Sequence, residues 1–309
     1  MRVVIAGGSG FIGSALVRSL VRDGHEAVVL SRRGGGRGAR GGVTMASFDG
    51  ATGQGWAHFL DGAHALVNLA GENIAAGYWT QHRKRRILES RINAGRACLD
   101  ALGRVADPPR VLVQGAATGY YGDRGDLPTD ENSPRGSGFL AEVAGRWEAS
   151  TAAAETMGVR RVVLRTAVVL GRHGGALPRM LAPYRFFLGG PLGAGRQYFP
   201  WIHLDDEVRA IRFLMEHPEA AGPFNLAAPE AVTQDALAAT IGRALRRPAF
   251  LRVPEAVLRL ALGEMGRELL LSGVRIVPRR LTELGFVFRF HTLAAALADI
   301  LGGVGPSHD

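Results

Sequence analysis

Arg2–Gly13, RVVIAGGSGFIG, decides the fold. Arg2–Ala6 is an apolar run of the kind that forms a strand buried on both faces. Gly7, Gly10 and Gly13 follow at three-residue spacing and open a stretch, Phe11–Asp23, that places Ile12, Leu16, Leu20 and Val21 on one helical face. Gly24 is suited to stop that helix. Glu26–Leu30 then reads as a second strand, which completes a strand–helix–strand unit of about thirty residues. A dinucleotide-binding loop occupies this place in such a unit. Gly7 permits the tight turn, Gly10 lets the backbone approach a pyrophosphate, and Gly13 lets the helix pack close to the sheet. The helix N-terminus adds free N–H groups and a partial positive charge for the phosphates.

The theme repeats along the chain. Ala65–Leu69, Val111–Gly115 and Val162–Val169 are further apolar runs, each followed by a turn and helical spacing. Strands alternating with helices predict an α/β fold with a parallel, doubly wound sheet. After Gly171 the pattern changes to Gly, Pro and aromatic residues, and from about Thr233 it becomes mostly helical. The expected organisation is a nucleotide-binding core over residues 1–170, rejoined by 203–227. The remainder, 171–202 and 228–309, would form a smaller, mostly helical cap on the substrate side.

Composition narrows the function classes. With 309 residues, 47% of them hydrophobic, the chain can bury a full core. No uninterrupted apolar run reaches the length of a membrane span, so no membrane partner is expected, and the short run after Met1 does not have the layout of a secretory signal. Cys98 is the single cysteine, so no internal disulfide forms and a reducing, cytoplasmic compartment is expected. Its apolar neighbours predict a buried structural thiol. The net charge of +9 raises the question of nucleic acid. Yet the arginines are scattered through every segment and Lys84 is the only lysine, so no groove-tracking stripe forms and a nucleic-acid partner is not expected.

The end of the second strand chooses the cofactor. A carboxylate there would bind the ribose 2′-hydroxyl and repel a 2′-phosphate. This chain instead has Ser31, Arg32 and Arg33. A hydroxyl and guanidinium groups suit a 2′-phosphate through charge-assisted bonds, so the stretch predicts NADP(H) rather than NAD(H). Arg37 and Arg40, farther out in the glycine-rich loop, are expected to be solvated.

Several segments together resemble a known family. GGSGFIG (7–13), NLAGENI (68–74), SRINAG (90–95), GYYGD (119–123), FLAEVAGRWEA (139–149), LGGPLGAGRQYFPWIHLDD (188–206) and FNLAAPE (224–230) stand in the order and spacing of atypical short-chain dehydrogenase/reductases of the epimerase-family type. VPEAVLRLALGEMG and VPRRLTELGFVF resemble the small domain that closes these proteins. The resemblance implies a Rossmann-type fold and an NADP(H) cofactor. It adds Phe11, Ile12, Leu69, Ala70, Gly71 and Arg91 to the cofactor-contacting residues, with an oxidoreductase or epimerase-like activity on a small carbonyl or hydroxyl compound.

The usual catalytic pair of that superfamily, Tyr-x-x-x-Lys on a helix, is missing: its positions fall on Leu140 and Ala144, and Thr80 stands four before the only lysine. Thr118 and Tyr121, after the Val111–Gly115 strand, are the remaining catalytic candidates. The loss of the pair keeps open an alternative, a non-catalytic NADPH sensor that acts through a protein partner.

The other polar groups carry weaker expectations. Glu142 and Glu148 lie about 120° off one helix face and form no dyad. Glu72 and Asn73 follow a strand end on the ligand-binding side of the sheet, and Asp49 is placed near the adenine. Arg196, Gln197, Tyr198, Trp201 and His203 are bunched like the lining of a small-molecule cleft. His203 with Asp205 and Asp206 suggests a metal at first sight, but no third ligand has sensible spacing. A His that caps the next helix is the expectation, with no metal.

Overall fold

The computed structural model describes residues 1–32 and 39–302; the side chains of Ala39 and Arg40 are not described. The main elements are β1 (Arg2–Ala6), α1 (Phe11–Arg22), β2 (Glu26–Ser31), β3 (Ala39–Arg40), β4 (Val43–Ser47), β5 (Ala65–Asn68), α2 (Gln81–Leu102) and β6 (Val111–Ala117). They continue with β7 (Gly125–Thr129), α3 (Phe139–Ala149), β8 (Arg160–Thr166), β9 (Val168–Leu170), α4 (Leu177–Arg185), β10 (Tyr198–Phe199), β11 (Trp201–His203) and α5 (Leu204–Glu216). The chain closes with β12 (Gly222–Leu226), β13 (Val232–Thr233), α6 (Gln234–Leu245), α7 (Glu255–Gly266), β14 (Val274–Ile276), α8 (Arg279–Glu283) and α9 (Leu293–Gly302).

The principal sheet runs β12-β8-β6-β5-β1-β2-β4-β3. Seven strands make a Rossmann-like parallel sheet, and the two-residue β3 adds an antiparallel edge on β4. The first strands read as predicted because their side chains are buried on both faces: Val3, Val4, Ile5 and Ala6 are all fully buried. Helix α1 ends as its sequence asks. Gly24 takes φ +77° and donates to the Val21 carbonyl, while the His25 amide donates to Leu20. That is the paired geometry of a Schellman cap. Strand order reverses between β1 and β5, and such sheets bind ligands outside the strand ends at that point.

The chain divides into two compact units. The first is Met1–Tyr120, Glu142–Arg165 and Val208–Phe224. Its core under the sheet includes Leu30, Trp56, Leu60, Leu66, Leu112 and Cys98. Burial pushes the Cys98 thiol up to about 12, so it is a small apolar side chain at any physiological pH. The second unit is Tyr121–Ala141, Thr166–Glu207 and Asn225–Asp309. It gathers α4, α6 and α9 around Leu181, Tyr184, Trp201, Ile241, Leu297 and Ile300. It is less purely helical than its sequence suggests, since the pairs β7/β14, β9/β11 and β10/β13 stitch it together. Tyr121–Ala141, inside the stretch expected to be core, clusters with this second unit. Among the described residues, no helix is long and apolar enough to cross a membrane.

Candidate cofactor site

The site in the first unit starts from steric exclusion. Gly7 turns at φ +83°, and a Cβ there would lie 2.8 Å from the carbonyl carbon of Leu69 and 2.9 Å from the amide nitrogen of Ala70. The ends of β1 and β5 thus close to backbone contact because position 7 has no side chain. Gly13 is tighter still: a Cβ would sit 2.3 Å from the Gly7 oxygen and 2.7 Å from Gly8 Cα. Gly10 differs, being exposed, with only the Gly7 oxygen within reach of a Cβ at 3.1 Å. It caps α1 without any side-chain hydrogen bond. Because glycine has no side chain to cap with, Gly10 leaves the first amides of α1, at Phe11, Ile12 and Gly13, without an N-cap side-chain bond, as an anion requires. The cradle fits a pyrophosphate on this ground.

Arg91 braces the next loop. A Cβ on Gly71 would come within 3.0 Å of the Arg91 guanidinium carbon, so the arginine lies directly across that glycine. Its Nη1 donates to the Glu72 and Ile87 carbonyls, both at 3.0 Å, and its guanidinium stacks 4.8 Å from the centre of the Trp147 ring. Burial lowers its pKa to about 10, against the upward pull of Glu72, so it stays charged at neutral pH. Glu72 itself is held by Arg83 at 2.8 Å and Arg86 at 3.0 Å. Asn73 accepts the Ala75 amide. Both residues shape this loop.

At the end of β2, Ser31 is half-buried and pairs in register with Ser47, and Arg32 is exposed. Arg33 and Arg37 lie outside the described residues. Asp49 folds onto its own turn: it accepts the Ala51 and Thr52 amides and the Thr52 hydroxyl, and those bonds hold its pKa below the usual carboxylate value.

The helix that lacks the Tyr-x-x-x-Lys pair carries other groups. Ala144 is buried and Leu140 half-buried. Trp147 packs on Gly115 of β6, where a Cβ would meet its ring at 3.0 Å, and its indole N–H is buried with no hydrogen-bond partner among the described residues. Glu148 accepts two bonds from Arg165, at 2.8 and 3.0 Å, in a pair left only 5% and 13% exposed. The Arg165 guanidinium lies 3.7 Å over the Tyr120 ring. Glu142 makes only an exposed pair with Arg146. Thr118 is 6% exposed.

In the second unit, the Tyr121 hydroxyl donates to Asn225 at 2.7 Å, and Asn225 donates onward to the Val277 carbonyl. The Asn225 amide bonds Glu131, whose pKa burial raises. Tyr121 is fully buried in this network. His203 does cap its helix: Nδ1 accepts the Asp205 amide at 3.0 Å at the start of α5, and the ring stacks 3.9 Å from Phe290. Burial holds the His203 pKa down. Asp206 accepts the amides of Arg289 and Phe290. Gln197 spends its amide on the carbonyls of Leu192 and Leu270, and Trp201 donates to Glu230. Tyr198 is half-buried with Arg275 over its ring, and Arg196 is exposed. No group of three or more His, Cys, Asp or Glu able to hold a metal occurs among the described residues.

Sequence reasoning missed Trp147, the Glu148–Arg165 pair and the Asn225 network. Their partners are 17 to 104 residues apart, and spacing within one helix carries no trace of them.

The comparisons agree with this geometry. Residues 3–227 match the model of the NAD dependent epimerase/dehydratase family, and residues 253–300 match a domain of unknown function, DUF1731. An epimerase family protein of Mycobacterium bovis is 40% identical over 296 residues, 96% of each chain. The crystal structure of human epimerase family protein SDR39U1 (isoform 2) with NADPH superposes with a TM-score of 0.87 at 35% identity, covering 98% of this chain and 100% of that one. A nucleoside-diphosphate sugar epimerase from Corynebacterium glutamicum gives 0.78 at 30% identity, covering 98% of this chain and 58% of the other. The strand order, the glycine cradle and the match over residues 3–227 lead to one conclusion: the chain belongs to the NAD dependent epimerase/dehydratase family.

Proposed function

We propose that this protein binds NADP(H) in its first unit and works as an oxidoreductase or epimerase-like enzyme on a small carbonyl or hydroxyl compound. The observation that carries the reading is the cradle at the switch point. Gly7 and Gly13 have no room for a Cβ, and Gly10 leaves the N-terminus of α1 without a side-chain cap. NADPH in the human SDR39U1 structure supports the same cofactor here.

The residues divide the work by chemistry. Amides at Phe11, Ile12 and Gly13 would take the pyrophosphate. Ser31, Arg32 and Arg33 would take the 2′-phosphate. Leu69, Ala70 and Gly71 would supply backbone beside the ribose, under the fixed charge of Arg91. When bound, the nicotinamide supplies the two-electron redox chemistry. Thr118 is assigned to donate a hydrogen bond to a substrate oxygen. Tyr121, whose hydroxyl is already bonded to Asn225, is assigned to position the loop that follows Thr118. The sequence offers no Tyr-x-x-x-Lys lysine to activate that hydroxyl as a base.

Parallel fluorescence titrations with NADPH and NADH, on the wild type and Arg32→Ala, test the cofactor assignment. NADPH should be preferred by about tenfold or more, and the variant should lose most of that preference while its NADH affinity stays level. Equal affinities in the wild type would overturn it. Consumption of NADPH over a panel of small carbonyl compounds tests the catalytic part, and a wild type that binds but never turns over would refute that part alone.

A further inference from the structure

The second unit carries a surface that nothing in the cofactor chemistry uses. Helix α4 ends at Arg185 and is followed by Phe186-Phe187-Leu188, and all four side chains are exposed: Phe186 is 73% exposed, Phe187 53% and Leu188 60%. Isolated exposed hydrophobics are ordinary, but three consecutive ones are not. Phe187 has a left-handed backbone, φ +61°, just past the end of the helix.

A second segment lies against this one. The Arg247 guanidinium stacks 4.5 Å over the Phe187 ring, and the Leu251 amide donates to the Gly189 carbonyl. Phe250, 73% exposed, and Leu251, 39% exposed, extend the apolar surface. Beside them opens a shallow cleft of about 460 Å³, with Ala239, Gly242 and Ala249 among its lining residues and Arg243, Arg246 and Arg247 charging it. Among the described residues, no carboxylate pairs with these three arginines or with Arg185; Arg243 donates only to the Thr240 hydroxyl at 3.0 Å. The nearby acids Asp235 and Glu255 are bound to Arg252 and Arg259. Arg243 and Arg246 also complement the C-terminus of α6, which accounts for two cations but not for the exposed phenylalanines.

From this pattern we propose that the 185–188 and 243–251 surface is a peripheral docking site for an anionic lipid bilayer. Guanidinium groups without a carboxylate partner beside protruding Phe and Leu match a bilayer's two layers: arginines at the phosphates, apolar side chains in the acyl boundary. The cleft gives the headgroup phosphate a charged recess with an apolar floor. Nucleic acid fits less well, because Leu188 and Leu251, 60% and 39% exposed, offer no stacking face. An acidic protein would satisfy the arginines but gives the projecting apolar run no bilayer interior to enter.

Flotation of the full chain with vesicles of phosphatidylcholine alone, or with about one-third phosphatidylglycerol, tests the proposal. Binding should require phosphatidylglycerol and weaken as salt rises. Each arginine near an anionic surface is worth about a fivefold gain in partition, so Arg246→Ala with Arg247→Ala should lower binding by roughly 25-fold. Phe186→Ser with Phe250→Ser should abolish it while phosphatidylglycerol headgroups stay accessible. Both double variants change exposed side chains and should keep wild-type NADPH affinity and melting temperature, a readout independent of lipid. Equal recovery with both vesicle types, no recovery with either, or variants that float like the wild type would each overturn the proposal. So would variants that instead lose binding to a single-stranded RNA probe, or convert a dimer to a monomer on sizing.

Discussion

The glycine loop of the first unit and the Tyr121–Asn225–Glu131 network of the second solve opposite problems. The loop works by absence: Gly7 and Gly13 remove the atoms that would keep two strand ends and a helix apart. The network works by presence: the Tyr121 hydroxyl donates to the Asn225 side chain and the Asn225 backbone amide donates to Glu131, across 94 to 104 residues of chain. An absence has a local cause and is written in a short motif. A network has a partner for each member, and those partners are assembled only by folding. The loop should therefore fail in binding when altered, and the network in stability.

Gly13→Ala gives the largest expected effect. Its methyl would press on backbone atoms of Gly7 and Gly8, which cannot rotate away, so NADPH affinity should fall by about a hundredfold or more by fluorescence titration. The stability cost is that of overpacking, about 1–3 kcal/mol by thermal melting. A variant that binds normally would break the contrast at its first term. Glu148→Ala comes next. It strips both carboxylate bonds from a guanidinium that is 5% exposed, and should cost about 3 kcal/mol or more in urea unfolding.

Glu207 sharpens the comparison through pH. It is fully buried; Thr166 donates to one carboxylate oxygen at 2.9 Å, and the other has no partner among the described residues. Burial pushes its pKa up to about 8, above the ordinary carboxylate value. The folded state thus holds a proton that the unfolded chain has already released. That protonated state is stabilising relative to the unfolded chain at low pH, and the advantage is lost as pH rises from about 4.5 through about 8, at no more than about 1.4 kcal/mol per pH unit. Glu207→Gln should flatten the decline in melting temperature over that window and melt higher than the wild type at pH 8. Parallel curves for the two proteins would reject the assignment. Tyr121→Phe has the smallest effect: it leaves the buried Asn225 oxygen short of one donor, for about 1–2 kcal/mol, with NADPH affinity unchanged.

Much of the first unit was legible because its determinants are periodic or steric. Apolar runs named the strands, the glycine spacing named the loop, and Gly24 named the helix stop that the Schellman cap then forms. His203 was also legible, since a His followed two residues later by an Asp at a helix start acts over one turn. The boundary of the second unit was not. Tyr121–Ala141 looks like a continuation of the core, but its β7 pairs with β14, about 150 residues away, and no local pattern records that partner.

The sequence by itself determined the opening strands and helices of the first unit, the glycine cradle, the absence of a Tyr-x-x-x-Lys pair and the basic end of β2, because each depends on residue types within one or two turns of chain. Only the tertiary structure decided that Arg91 lies across Gly71 and stacks on Trp147, that Arg165 is clamped by Glu148, and that Tyr121 spends its hydroxyl on Asn225. Those arrangements belong to pairs, and a buried polar group acquires its role from whichever distant partner the fold brings within about 3 Å.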